Sequence, residues 1–109
     1  MRIWDVPVEE LCRQHLLGEH RELHAVWSIL TNDKTGYSRH PETMRWKGHL
    51  PALAQRHDQQ VSEMVRRGYS HKSPLPLAEG PLTMPALIDP VEEQRRMLMS
   101  RDCECLPGG

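Results

Sequence analysis

Polar and apolar positions along the chain form two long helical stripes, a short one between them, and a proline-dense segment before a last helix. From Val8 to about Leu30 the apolar residues fall at 8, 11, 12, 16, 23, 26, 27 and 30, the i, i+3, i+4 pattern of an amphipathic helix. Gly18 lies within this stripe and costs about 1 kcal/mol relative to Ala, which predicts a kink or a close packing contact there. Residues 31–37 (TNDKTGY) are loop chemistry, and Pro41 opens a short helical stretch, PETMRWK, that ends near Gly48. A second long helix is predicted from about Leu50 to Arg67, with Leu53, His57, Val61, Met64 and Val65 inward. Arg66 and Arg67 then complement the helix dipole, and Gly68 suits the left-handed stop. Five prolines between residues 71 and 90 exclude a helix and predict an extended, semi-rigid strap. Asp89 is read as the cap of the last helix, with Pro90 at its first position and Glu92 closing a capping box, running to about Ser100. Residues 1–6 (MRIWDV) read as an extended arm whose Ile3, Trp4 and Val6 pack, turned by Pro7. The expectation is an all-α, compact single domain of three to four helices over residues 1–102, with residues 103–109 a flexible tail.

Composition supports helices over a β-sandwich. Phe is absent, and with three Trp and two Tyr the core must rest on Leu, Val, Ile and Met. No apolar run approaches the ~20 residues of a membrane span, and Asp5, Glu9 and Glu10 stand where a signal peptide would need its apolar core. Three cysteines, an odd number, without an export signal predict reduced thiols and a cytoplasmic protein with no membrane partner. The tail pair Cys103 and Cys105 has no second pair nearby and reads as exposed, reactive thiols. Net charge is −1, so there is no global attraction to nucleic acid. The distribution is uneven: residues 1–76 carry 11 Lys and Arg against 9 Asp and Glu, and residues 77–109 carry 3 against 6. A nucleic-acid partner would have to meet a local basic face.

The first long stripe holds an unusual trio. His15, Glu19 and Glu22 project onto its apolar side, while Arg21 points away. Carboxylates in an apolar stripe are expensive unless they are paired or used. Three readings stay open: a half-covered stripe whose carboxylates reach solvent or an Arg; a metal site completed by His57 from the second helix; or a catalytic carboxylate, with His15 bonded to a backbone carbonyl or to Glu19. Length arithmetic permits a meeting with the chain terminus. Six extended steps from Met1 to Pro7 span about 20 Å at ~3.3 Å each. Fourteen helical steps from Val8 to Glu22 rise about 21 Å at 1.5 Å each. If the arm folds back at Pro7, the Met1 α-amine arrives beside Glu22. The bulky Arg2 predicts that Met1 is retained. With an ordinary pKa of ~7.7–8.0 against ~10.4 for lysine, an α-amine is far more often neutral near pH 7, and so suits attack on an aldehyde-like carbon.

The stretch LCRQHLLGEHRELHAVW (11–27) resembles the first-helix signature of the pyrimidine-dimer DNA glycosylases with abasic-site lyase activity, the phage-type endonuclease V family, through Gln-His-Leu at 14–16 and Glu-x-Arg-Glu-Leu at 19–23. LPALAQRHDQQVSEMVRRGY (50–69) is similar to that family's later helix, which also ends in basic residues, Gly and an aromatic. The two segments cover about a third of the chain. The resemblance implies a compact all-α fold with the N-terminal arm packed between helices. It implies an N-terminal α-amine nucleophile at Met1 and an essential glutamate at Glu22, with Arg2 and Arg21 on the DNA backbone. The family usually follows Arg-Glu-Leu with Pro-Arg, whereas His24 and Ala25 stand here, so His24 replaces part of one phosphate contact. The prototype's aromatic, basic C-terminus is absent, which separates the chemistry from dimer specificity.

The implied reaction is DNA repair by base excision: attack on C1′, a Schiff base, and β-elimination, on damaged double-stranded DNA, by a monomer without cofactor or metal. Trp46 between Arg45 and Lys47 reads either as a stacking and phosphate-contact loop or as a core Trp with solvated neighbours. Two rival functions are kept: a non-catalytic nucleic-acid-binding domain of the same fold, and a helical metal-dependent enzyme using His15, Glu19 and Glu22.

Overall fold

The computed structural model describes residues 2–32, 39–70, 74–76 and 80–100. Expectations placed on Met1, on much of the 31–37 loop and on the tail with Cys103 and Cys105 lie outside the described residues. The regular elements are a 3-10 turn at Val8–Glu10 and four helices: α1 at Arg13–Thr31, α2 at Pro41–Trp46, α3 at Leu50–Arg66 and α4 at Val91–Met99. Among the described residues there is no strand, so the fold is all-α, as the stripes predict.

The first stripe is helical only from Arg13. Leu11 and Cys12 are extended, with Cys12 in the cap position, and Val8–Glu10 closes a separate 3-10 turn. A 3-10 turn also repeats at i, i+3. The spacing of Val8 and Leu11 therefore fits either element, and both side chains are buried. A backbone oxygen left without a helical partner by the break meets a cation, Arg67 donating to the Leu11 carbonyl at 2.6 Å; beside it, Arg95 grips the buried side-chain carboxylate of Glu10 at 2.8 and 2.9 Å. Gly18 lies inside unbroken helix, and a Cβ there would meet nothing within 4 Å. Neither a kink nor a close contact explains it.

Elsewhere the boundaries move by a residue or two. The His40 ring accepts from the Glu42 amide to cap α2, ahead of Pro41. α3 stops as read: Gly68 adopts φ +84°, and the Tyr69 amide reaches back to the Met64 carbonyl at 2.8 Å. Val65 points outward, 62% exposed, because the inward face follows Leu53, His57, Gln60 and Met64. Pro90, not Asp89, occupies the cap position of α4, and no side chain caps that helix. Asp89 is engaged elsewhere, in an ion pair with Arg2 at 3.1 Å. The described part of the strap, 74–76 and 80–90, contains neither helix nor strand.

Two buried clusters form the core. One holds Ile3, Leu23, Val26, Trp27, Trp46, Ala52 and Leu53; the other holds Trp4, Val6, Val8, Leu11, Leu16, Met64 and Leu98. The arm contributes to both, so it is part of the core. Extended backbone without a ladder must find other partners when buried, and here side chains from all four helices supply them. Ile3 O accepts from Arg45 at 3.1 Å, Trp4 N donates to Glu19 at 2.7 Å, Asp5 N donates to Gln94 at 2.7 Å, and Val6 O accepts from Arg56 at 2.8 Å.

Candidate active site

The two carboxylates of the α1 trio have different surroundings. Both oxygens of Glu19, which is buried, are fully engaged. Arg56 of α3 donates to them from Nε at 2.8 Å and Nη2 at 3.0 Å, the Gln60 amide donates to Oε2, and the Trp4 amide donates to Oε1. With four donors on two oxygens, Glu19 is left no lone pair for a metal, which removes the metal reading built on His15, Glu19 and Glu22. His15 Nδ1 lies 3.1 Å from Cys12 Sγ, and its ring stands edge-on to Trp4.

Glu22 is half-buried and takes no hydrogen bond or ion pair among the described residues. Glu19 marks the height of Trp4 on α1, and Ile3 joins Leu23 and Val26 in one cluster. The arm therefore runs antiparallel to α1, in the direction the length arithmetic requires. At its described end, Arg2 lies with its guanidinium carbon 4.5 Å over the Trp4 ring while pairing with Asp89. Its buried Nε has no partner among the described residues.

The sequence-read DNA contacts divide. Arg21 and Lys47 are exposed. Trp46 is not a stacking residue in this structure: it is 1% exposed, and its indole N–H donates to Glu42 at 2.9 Å. Arg45 is internal as well, its side chain 4% exposed. It pairs with Asp5 at 3.0 Å and Glu42 at 2.8 Å while holding the Ile3 carbonyl. The Trp46 alternative that fits is the core one, but Arg45, read as solvated in that case, is structural. His24 is half-buried, with its ring edge-on to those of His20 and His57. A cleft of about 570 Å³ lies between the arm, α3 and the strap; Trp4, Arg56 and Met84 line it and Glu22 does not.

Arg56, Gln60 and Gln94 were not singled out from sequence. Each is a polar residue that only a distant partner explains, and no local spacing marks it. His20 carried a readable signal, an i, i+4 pair with His24.

An N-terminal arm packed as core along a helix that presents one engaged carboxylate and one without a partner among the described residues defines a small all-α class. A family model described as pyrimidine dimer DNA glycosylase matches residues 1–77, and the chain belongs to that family. Its substrate class is therefore DNA. No curated protein and no solved structure matches the chain. No helix among the described residues is long and apolar enough to cross a membrane.

Proposed function

We propose that the chain is a DNA glycosylase with abasic-site lyase activity, acting through the α-amine of Met1. The observation that carries this reading is Glu22: a half-buried carboxylate without a partner among the described residues, on the helix along which the arm is laid. Glu19, by contrast, already accepts from Arg56, Gln60 and the Trp4 amide.

In the proposed sequence the lesion is extruded or the duplex kinked. The amine attacks C1′, the C1′–N bond breaks, and the base leaves with a proton. Ring opening yields a protonated imine, which acidifies C2′. Glu22 takes the C2′ proton, the electrons form C2′=C3′, and the C3′–O bond breaks with departure of the 3′ phosphate. Water then hydrolyses the imine and restores the amine. Arg2, Arg21 and Lys47 contact the DNA backbone.

The test is borohydride reduction on a duplex with one abasic site, followed by mass spectrometry. Wild type should give an adduct on Met1 that is lost on α-amine acetylation and strongly reduced in Glu22→Gln. Duplex binding without any adduct would replace this reading with a binding module of the same fold.

A further inference from the structure

Away from Glu22, α1 and α3 bring together three imidazoles. His20 and His24 lie one turn apart on α1 and His57 lies on α3; their ring centroids are 4.6, 5.0 and 5.1 Å apart. One ring nitrogen from each falls within 4.8 Å of the other two. Residues 20 and 24 are about 160° around the helix from residue 22 at 100° per residue, so this cluster and Glu22 occupy different sides of α1.

The geometry points to a site for one divalent transition-metal ion of the zinc class, held by His20, His24 and His57, with a fourth position open to water. Two nitrogens bound at ~2.0–2.1 Å and the tetrahedral angle are about 3.3 Å apart, and the Nε2 atoms of His20 and His24 are 3.2 Å apart. One nitrogen of the His57 ring lies within 4.8 Å of a nitrogen of each of the other two, so a small shift of that ring would complete the set.

Hydrogen bonds around the cluster orient two of the three rings. The Gln60 amide nitrogen donates to Glu19, which fixes the amide's orientation, so its Oε1 faces His20 Nδ1 at 2.8 Å and must accept from it. A proton on Nδ1 leaves the lone pair of neutral His20 on Nε2, the atom facing His24. Asp58 lies 3.3 Å from His57 Nδ1, a carboxylate placed behind that ring. A carboxylate or amide behind a ligating imidazole is the usual orienting arrangement. His24 shares a proton with His20 when no ion is bound and ligates once that proton moves to its Nδ1. The open fourth position follows from His20 and His24 being half-buried while His57 is buried. Imidazole donors suit zinc, copper and nickel better than magnesium or calcium. The ion would act as a cross-link between α1 and α3, next to the Glu19–Arg56 pair, and takes no part in the reaction at C1′. His24 is thereby assigned to the metal and not to a phosphate.

The test uses the full chain without an affinity tag, with Cys103→Ser and Cys105→Ser so that tail thiols cannot contribute, and cobalt(II) or zinc(II) as the probe. One cobalt per chain with the intense visible bands of a four-coordinate ion is expected. A hundredfold excess of zinc over its Kd should raise the melting midpoint by about 10 °C or more. His24→Gln, at a half-buried position, should abolish both signals while keeping the metal-free circular dichroism, and Glu22→Gln should keep both. His57→Gln should behave as His24→Gln does. Absence of the cobalt bands and of the midpoint shift in the parent, or their survival in His24→Gln, would overturn the assignment.

Discussion

Replacing Glu19 and Glu22 separately by Gln gives opposite outcomes if the two carboxylates differ as described. Glu19→Gln keeps the shape but removes the charge opposite Arg56, whose side chain is only 9% exposed. It also turns an acceptor-only group into one that presents N–H to donors already aimed at it. Breaking a buried pair by removing one partner costs about 3–5 kcal/mol, and the Trp4 amide loses its acceptor as well. Against a total stability of ~5–15 kcal/mol this is a large fraction, equivalent to a melting midpoint lower by roughly 10–30 °C for a domain of this size. Glu22→Gln breaks no contact among the described residues and should stay within about 0.5 kcal/mol of wild type, the usual range for such positions. Urea unfolding followed by the fluorescence of Trp4, Trp27 and Trp46 measures both variants in one assay. Adding Arg56→Met to Glu19→Gln removes the stranded cation and should recover part of the loss. If Glu19→Gln lies within about 1 kcal/mol of wild type, or Glu22→Gln costs as much as Glu19→Gln, the division into supporting and reacting carboxylates is wrong.

Three further outcomes are expected. Gly18→Ala should stabilise by about 0.5–1 kcal/mol, since a Cβ there meets nothing within 4 Å and the helix is unbroken; a destabilised variant in thermal melts would contradict this. Gly68→Ala, at φ +84°, should cost about 1 kcal/mol in the same melts through backbone strain alone, because space is available for the methyl. The Arg66 hydrogen bond, opposed by partial burial and aided by Arg67, holds the Glu63 carboxyl below its ordinary range. The folded state then binds fewer protons than the unfolded chain, so this stabilisation is complete above the ordinary carboxylate pKa of ~4.3 and fades as pH falls through the lower folded value. Urea midpoints measured from pH 6 downward should therefore fall less steeply below about pH 4.5 in Glu63→Gln than in wild type.

Local signals carried the helices well and the polar interior poorly. α3 was legible at both ends because Leu50 opens the stripe and Gly68 supplies the one backbone conformation that stops it. The start of α1 was misplaced because a 3-10 turn shares the i, i+3 spacing, and the deciding group, Arg67, lies 56 residues from the carbonyl it satisfies. Glu19 and Glu22 look alike in the stripe. Only Arg56 and Gln60, 37 and 41 residues beyond Glu19, tell them apart. Arg45 and Trp46 misled for a related reason, since a basic and aromatic cluster has the same composition whether it faces a phosphate or folds inward onto Glu42 and Asp5. The His20–His24 spacing was visible in the sequence, but their approach to His57 depends on how the two helices cross.

Gln94 donates to Asp5 and accepts from its amide, joining positions 89 residues apart. It lies beyond the residues matched by the family model, yet it grips the arm that leads to the candidate nucleophile. During synthesis the arm emerges well before α4 and must wait for it before the Asp5 amide finds its acceptor. Until then Ile3, Trp4 and Val6, all nearly inaccessible in the finished fold, have no complete enclosure. On a ribosome the arm is thus an incompletely covered apolar segment until α4 has been made.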